Sequence, residues 1–156
     1  MKQIKFALLA LIAGLTVSCS SSSSSGSASD ATFINFKVNG TQSNMADITT
    51  ITSLMGSITG SEDVGQDTRT VIFTIPTNPT VGTHQITDAS GSDLTAYSAT
   101  YYFGNTSVNA TSGTYTITSI GAEYMEGTFS FTGDDAGENY AITEGTFRVY
   151  KPTPTN

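Results

Sequence analysis

Apolar and polar residues alternate along most of this chain with a period of two. In Phe33-Ile34-Asn35-Phe36-Lys37-Val38 the even positions are apolar and Asn35 and Lys37 fall between them, as in a strand with one buried face. Asn39-Gly40 follows at once, a pair suited to a two-residue type I′ hairpin turn. The folded part therefore opens with a hairpin. Thr49 to Gly60 reads as one strand, with Gly56 as a bulge. Arg69 to Ile75 places Val71, Phe73 and Ile75 on one face, and Pro76 ends it. The turn Asn78-Pro79-Thr80-Val81-Gly82 leads into a short edge segment around Thr83 to Ile86. Leu94 to Phe103 then sets Tyr97, Ala99, Tyr101 and Phe103 on one side. No stretch carries a 3.6-residue apolar period long enough for a helix.

The last third is the most regular. Gly113-Thr114-Tyr115-Thr116-Ile117 recurs in outline as Gly127-Thr128-Phe129-Ser130-Phe131 and as Gly145-Thr146-Phe147-Arg148-Val149. Such spacings suit successive antiparallel strands rather than a solenoid repeat. Tyr140 and Ile142 are apolar at even positions and Phe147 and Val149 at odd ones, so the phase must slip near Glu144-Gly145. The expected fold is all-β, an antiparallel β-sandwich or closed β-barrel of about eight or nine strands.

The first eighteen residues break the pattern. Lys2 and Lys5 precede an apolar run from Phe6 to Val17. As a helix its length would be about 18 Å, short of a ~30 Å hydrocarbon core, so it reads as an export signal rather than a membrane span. Leu15-Thr16-Val17-Ser18-Cys19 resembles the lipobox of lipoprotein signal peptides. That resemblance implies cleavage before Cys19 and a covalent diacylglycerol and acyl chain on it. An ordinary secretory signal with a cysteine nearby is the alternative. Cys19 is the only cysteine in the chain, so it has no intramolecular disulfide partner. With Ser20 after the cysteine, the resemblance further implies the outer membrane. The expected organisation is a signal peptide over 1–18, a lipidated cysteine and serine-rich flexible tether over 19–30, a β domain over 31–151 and a disordered tail over 152–156.

The 156-residue chain has a net charge of −7. Loss of Lys2 and Lys5 with the leader takes it to −9, with Lys37, Arg69, Arg148 and Lys151 as the remaining cations. Such a surface repels polyanions, so nucleic acid is not an expected partner. Attachment to a membrane would rest on the lipid.

Phe33, Phe36 and Val38-Asn39-Gly40-Thr41, then Gly113-Thr114-Tyr115-Thr116-Ile117-Thr118-Ser119-Ile120, Gly127-Thr128-Phe129-Ser130-Phe131-Thr132 and Gly145-Thr146-Phe147-Arg148-Val149 together resemble a family of small Gram-negative surface lipoproteins with a single all-β domain. The likeness spans about residues 32–150. It implies fold and location, and no chemistry, because the family carries no established activity.

Residues able to support catalysis are sparse. His84 is the only histidine, so Ser–His–Asp or Cys–His chemistry would have to pass through it. It reads instead as a surface or structural residue. Glu126 and Glu144 share the motif Glu-Gly-Thr-Phe and are candidates for neighbouring strands, as a glycosidase pair would require. No enzyme and no metal is expected. Acidic loops with glycine offer weak calcium candidates at Glu62, Asp63, Asp67, Asp134 and Asp135; Asp88 and Asp93 flank a third such loop. Tyr102, Tyr124 and Tyr150 fall out of phase with their apolar neighbours and make a candidate glycan platform, since flat exposed rings stack on sugars. The leading expectation is an outer-membrane lipoprotein with a binding or structural role at the envelope, its partner an envelope protein or glycan. A glycan-binding accessory module is the alternative.

Overall fold

The computed structural model describes residues 31–88 and 93–153. The expected signal peptide, Cys19 and the expected tether lie outside the described residues. Ten strands follow one another: β1 (Phe33–Val38), β2 (Thr41–Met45), β3 (Asp47–Thr52), β4 (Gly56–Val64), β5 (Asp67–Ile75), β6 (Gly82–Ile86), β7 (Ser98–Phe103), β8 (Thr106–Ile120), β9 (Tyr124–Asp135) and β10 (Glu138–Tyr150). All belong to one sheet in the order β2-β1-β10-β9-β8-β7-β5-β4-β3, with β6 paired to β8 off that path.

The two ends of that order are halves of one bent segment, Thr41 to Thr52, interrupted only at Ala46. Its first half pairs with β1 and its second with β4. The sheet therefore rolls into a nearly closed, up-and-down barrel rather than a sandwich, which shortens the edges open to another chain.

The opening hairpin forms as its sequence requires. Asn39 and Gly40 take φ of 46° and 84°, the positive values of a type I′ turn. Asn39 also ties the turn to β10: its amide donates to the Ala141 carbonyl at 2.9 Å, and its Oδ1 accepts from the Ala141 amide at 2.9 Å. The phase slip in β10 is equally visible. Its register to β9 shifts between Ile142 and Gly145, and Glu144 in the bulge has φ of 52°.

Alternate residues fill the interior. Phe73 sits among Tyr115, Phe129 and Phe131 at ring-centroid distances of 5.1, 4.6 and 6.4 Å, and Tyr115 stacks on Phe147 at 4.6 Å. Eight-stranded barrels are about wide enough for side chains to fill, and here they do. The glycines of the three repeats make room for these rings. A Cβ on Gly113 would meet Phe131, one on Gly127 would meet Phe147, and one on Gly145 would meet Phe129. Each glycine thus seats an aromatic of a neighbouring strand.

Two expectations need correction. Thr49 to Gly60 is not one strand with a bulge: the turn 53–55 divides it, closed by the Ser53 amide donating to the Met55 carbonyl at 3.0 Å. Gly56 starts β4, where the Pro152 ring occupies the place of a Cβ. For that reason no free tail begins at 152. Pro152 is buried and the Thr153 amide donates to Thr52 Oγ1 at 3.2 Å, so this segment covers one barrel end; residues 154–156 lie outside the described residues.

The barrel's two ends differ. The turns Asn39-Gly40, Gly65-Gln66, Gly104-Asn105 and Ala136-Gly137 gather at one end, the hairpin end. Ala31, the turns 53–55 and 121–123 and the segment Lys151 to Thr153 gather at the other, the terminal end.

Candidate functional site

Among the described residues, the barrel interior is filled by one apolar, aromatic-rich core. Among those same residues, the interior's charged groups lie near the hairpin end. Glu62 and Arg69 face each other across β4 and β5, and both follow the inward phase of their strands. Arg69 NH1 donates to Glu62 Oε1 at 2.7 Å. Ser43 Oγ donates to the same oxygen at 2.6 Å, and the Asn44 amide donates to Oε2 at 2.8 Å. Ser43 and Asn44 belong to β2, so this carboxylate spans the place where the bent segment changes partner from β1 to β4. The guanidinium also lies 4.9 Å from the centroid of Phe103, a cation–π geometry.

Burial works to raise the Glu62 carboxyl, but hydrogen bonds from Ser43, the Asn44 amide and Arg69, with the charge of Arg69, outweigh it and hold the group below the ordinary carboxylate value. Tyr101 is pushed up by burial, against the pull of the Arg69 charge and its hydrogen bond. Glu62 is thus engaged in closing the barrel and is not a free base.

The other acids named from sequence disperse. Asp63 accepts from Thr68 Oγ1 at 3.0 Å, Asp135 Oδ2 accepts from the Ser107 amide at 3.3 Å, and Asp67 lies against Gly104. These residues and Asp134 share the hairpin end. Among the described residues, no group of three or more His, Cys, Asp or Glu side chains is placed to hold a metal. Asp93 instead accepts from the Thr95 amide and hydroxyl at 2.9 and 2.7 Å, which lowers its pKa. Glu126 and Glu144 lie on adjacent strands, yet each belongs to its own ion pair. Arg148 NH1 meets Glu126 at 3.3 Å, and Lys37 meets Glu144 at 2.7 Å.

His84 is a structural residue. Its ring stacks on Tyr97 at 4.2 Å and 8°, and Nε2 donates to the Thr80 carbonyl at 2.8 Å. These contacts fasten β6 to the start of β7, where Tyr97 bridges Ile86.

The three tyrosines do not share one surface. Tyr124 and Tyr150 face each other across β9 and β10, with ring centroids 5.0 Å apart and planes 30° apart. The Arg148 guanidinium lies 4.6 Å from the Tyr124 centroid. Tyr102, opposite Ser107 of β8, is near the other end. From Ser107 to Ile120, beside Met125, β8 runs roughly 40 Å at about 3.3 Å per residue.

The outer wall carries open clefts. One of about 390 Å³ lies where β8 leaves β7 for β6, lined in part by Met55, Thr74, Leu94, Ser98 and Asn109. Another, of about 420 Å³, runs past Ala31, Phe33, Glu126 and Arg148. Sequence reading missed the Glu62–Arg69 pair and the first cleft. Each depends on which strands become neighbours, although Arg69 at the head of an inward row was a visible sign of a buried cation. No family model matches the chain, and no curated protein or solved structure does either.

Proposed function

We propose that this chain is an outer-membrane lipoprotein, held by acyl chains on Cys19 and displaying a filled β-barrel on a serine-rich leash for a binding or structural role at the cell envelope. The observation that carries this reading is the position of Ala31. The described chain comes in at the terminal end, beside the segment that closes it, so a leash attached there leaves the barrel wall and hairpin end available to the surroundings. A packed interior supports a role carried by the outer surface, since a small ligand would need space that the aromatic rings occupy. Among the described residues, no helix is long and apolar enough to cross a membrane; the proposed attachment is the lipid. Two or more acyl chains are needed for stable anchoring, because one gives only marginal binding. Fractionation of cells fed an alkyne fatty acid tests the proposal. The wild-type chain should be labelled and recovered with the outer membrane, and Cys19→Ser should lose the label. Unlabelled wild-type protein in the aqueous fraction would contradict it.

The glycan-binding alternative draws on Tyr124 and Tyr150, which present two adjacent rings beside Arg148. Such a pair matches one or two sugar rings rather than a long chain, because Tyr102 is not part of it. Titration with envelope oligosaccharides, read by tyrosine fluorescence, should saturate in the wild type and fail in Tyr150→Ala. Equal response in both would remove this reading.

A further inference from the structure

The large apolar side chains that stand exposed among the described residues are unevenly distributed. Ile51, Leu54, Val81, Leu94 and Tyr150 lie toward the terminal end, against Val64 and Tyr102 toward the hairpin end. The five are between 48% and 75% exposed, Leu54 most of all. They come from separate parts of the chain. Ile51 is next to last in β3, Leu54 sits in the turn 53–55, Val81 precedes β6, Leu94 lines a cleft with Met55, and Tyr150 ends β10. A barrel does not need these groups exposed to close its core, and aliphatic loop tips carry a solvation cost in water.

Charge is divided in the opposite sense. Acidic side chains are denser toward the hairpin end, where Glu62, Asp63, Asp67, Asp134, Asp135, Glu138 and Glu144 outnumber Lys37 and Arg69. At the terminal end Arg148 and Lys151 stand with Glu123 and Glu126, Asp88 and Asp93 line the cleft beside Leu94, and the turn 53–55 is uncharged. An anionic surface therefore repels the hairpin end more strongly than the terminal end.

We infer that the terminal end seats directly on a lipid bilayer, with Leu54, Val81 and Leu94 entering the headgroup–acyl boundary, and that the barrel stands on the membrane in one orientation. This rests on the lipid-anchor reading above. The leash joins the barrel at the same end. A flexible chain of about ten residues would reach about 16–19 Å at roughly 5–6 Å × √n, and on the proposed anchor that would keep the rim close to lipid and raise its effective concentration there. Tyr150 and Lys151 suit the border of such a contact, since amphipathic rings and lysines settle at the headgroup level.

The absence of tryptophan from the chain makes the test direct. Single reporters Leu54→Trp, Leu94→Trp and, at the hairpin end, Gln66→Trp are introduced into the full acylated protein. Each is reconstituted into phosphatidylethanolamine–phosphatidylglycerol vesicles with and without brominated acyl chains, and flotation of the same vesicles reports anchoring. Leu54→Trp and Leu94→Trp should be blue-shifted and lose fluorescence roughly twofold in brominated lipid, as expected for groups held about 5–10 Å into the boundary. Gln66→Trp should be unaffected. Protein that floats while Leu54→Trp and Leu94→Trp answer to aqueous acrylamide as readily as Gln66→Trp overturns the seated rim and leaves the anchor standing. Shielding from both quenchers places a second copy of the chain on the rim and also overturns it. Failure to float overturns anchor and rim together.

Discussion

Replacing Glu62 by glutamine tests whether a single carboxylate closes the barrel. The substitution keeps shape and volume but exchanges an acceptor of three donors for a group with one acceptor and one donor end. Ser43, the Asn44 amide and Arg69 all point hydrogens at this position, so an amide nitrogen must face one of them. The side chains of Arg69 and Glu62 are 10% and 18% exposed, which puts the pair nearer the buried regime, where losing one partner costs about 3–5 kcal/mol, than the exposed one at about 0–1 kcal/mol. Partial solvation and the bonds an amide can still accept reduce the expected loss to about 2–3 kcal/mol. For a domain of this size that is a fall in Tm on the order of 10 °C. Urea unfolding followed by tyrosine fluorescence gives the free energy. The double variant Glu62→Gln with Arg69→Met removes the orphaned cation, and it should be no less stable than Glu62→Gln alone. A Glu62→Gln protein within about 0.5 kcal/mol of wild type, the typical range for a neutral surface change, would refute the reasoning.

Further outcomes follow from the same packing. The Glu62 carboxyl is lower in the folded chain than its ordinary value, so the wild-type advantage over Glu62→Gln is complete above the ordinary carboxylate range and shrinks as pH falls through the folded value; parallel urea titrations from neutral to strongly acidic pH measure it, and a constant difference would contradict the linkage. Tyr115 is buried with no hydrogen-bond partner for its hydroxyl, and burial raises its pKa well above the usual tyrosine value; Tyr115→Phe should raise stability by about 1 kcal/mol or more, and a loss of stability on urea unfolding would be the opposing result. A Cβ on Gly127 would fall on the Thr116 carbonyl and the Phe147 ring, and backbone cannot yield as a flexible side chain can. Gly127→Ala should therefore cost more than about 3 kcal/mol, whereas alanine at Gly137, with open space around it, should lose only the smaller cost of its positive φ; circular-dichroism melts compare the two.

Much of the barrel was legible because a strand's period of two survives any tertiary arrangement. The β1–β2 turn needed only Asn39 and Gly40, and the bulge at Glu144 followed from counting which parity is apolar on each side. Strand pairing was harder. Nothing local in Thr49 to Gly60 distinguishes a continuous strand from two strands and the turn 53–55, because the deciding contact is Pro152 against Gly56, about a hundred residues away. The choice between sandwich and barrel likewise depends on the bend at Ala46, which lets one segment pair with β1 and then with β4. The site showed the same division. Out-of-phase tyrosines were visible one by one, but strand order alone brings Tyr124 to Tyr150 and carries Tyr102 elsewhere. Acidic loops resembled ion sites because composition does not reveal that Glu62 faces Arg69 or that Asp63 serves Thr68.

The account depends above all on the chemistry of Cys19, and intact mass analysis of protein purified from native envelopes addresses it most directly. The prediction is a chain that begins at Cys19 and carries the added mass of a diacylglyceryl thioether and an amide-linked acyl group. A mature chain with an unmodified thiol, or one that keeps residues 1–18, would contradict it.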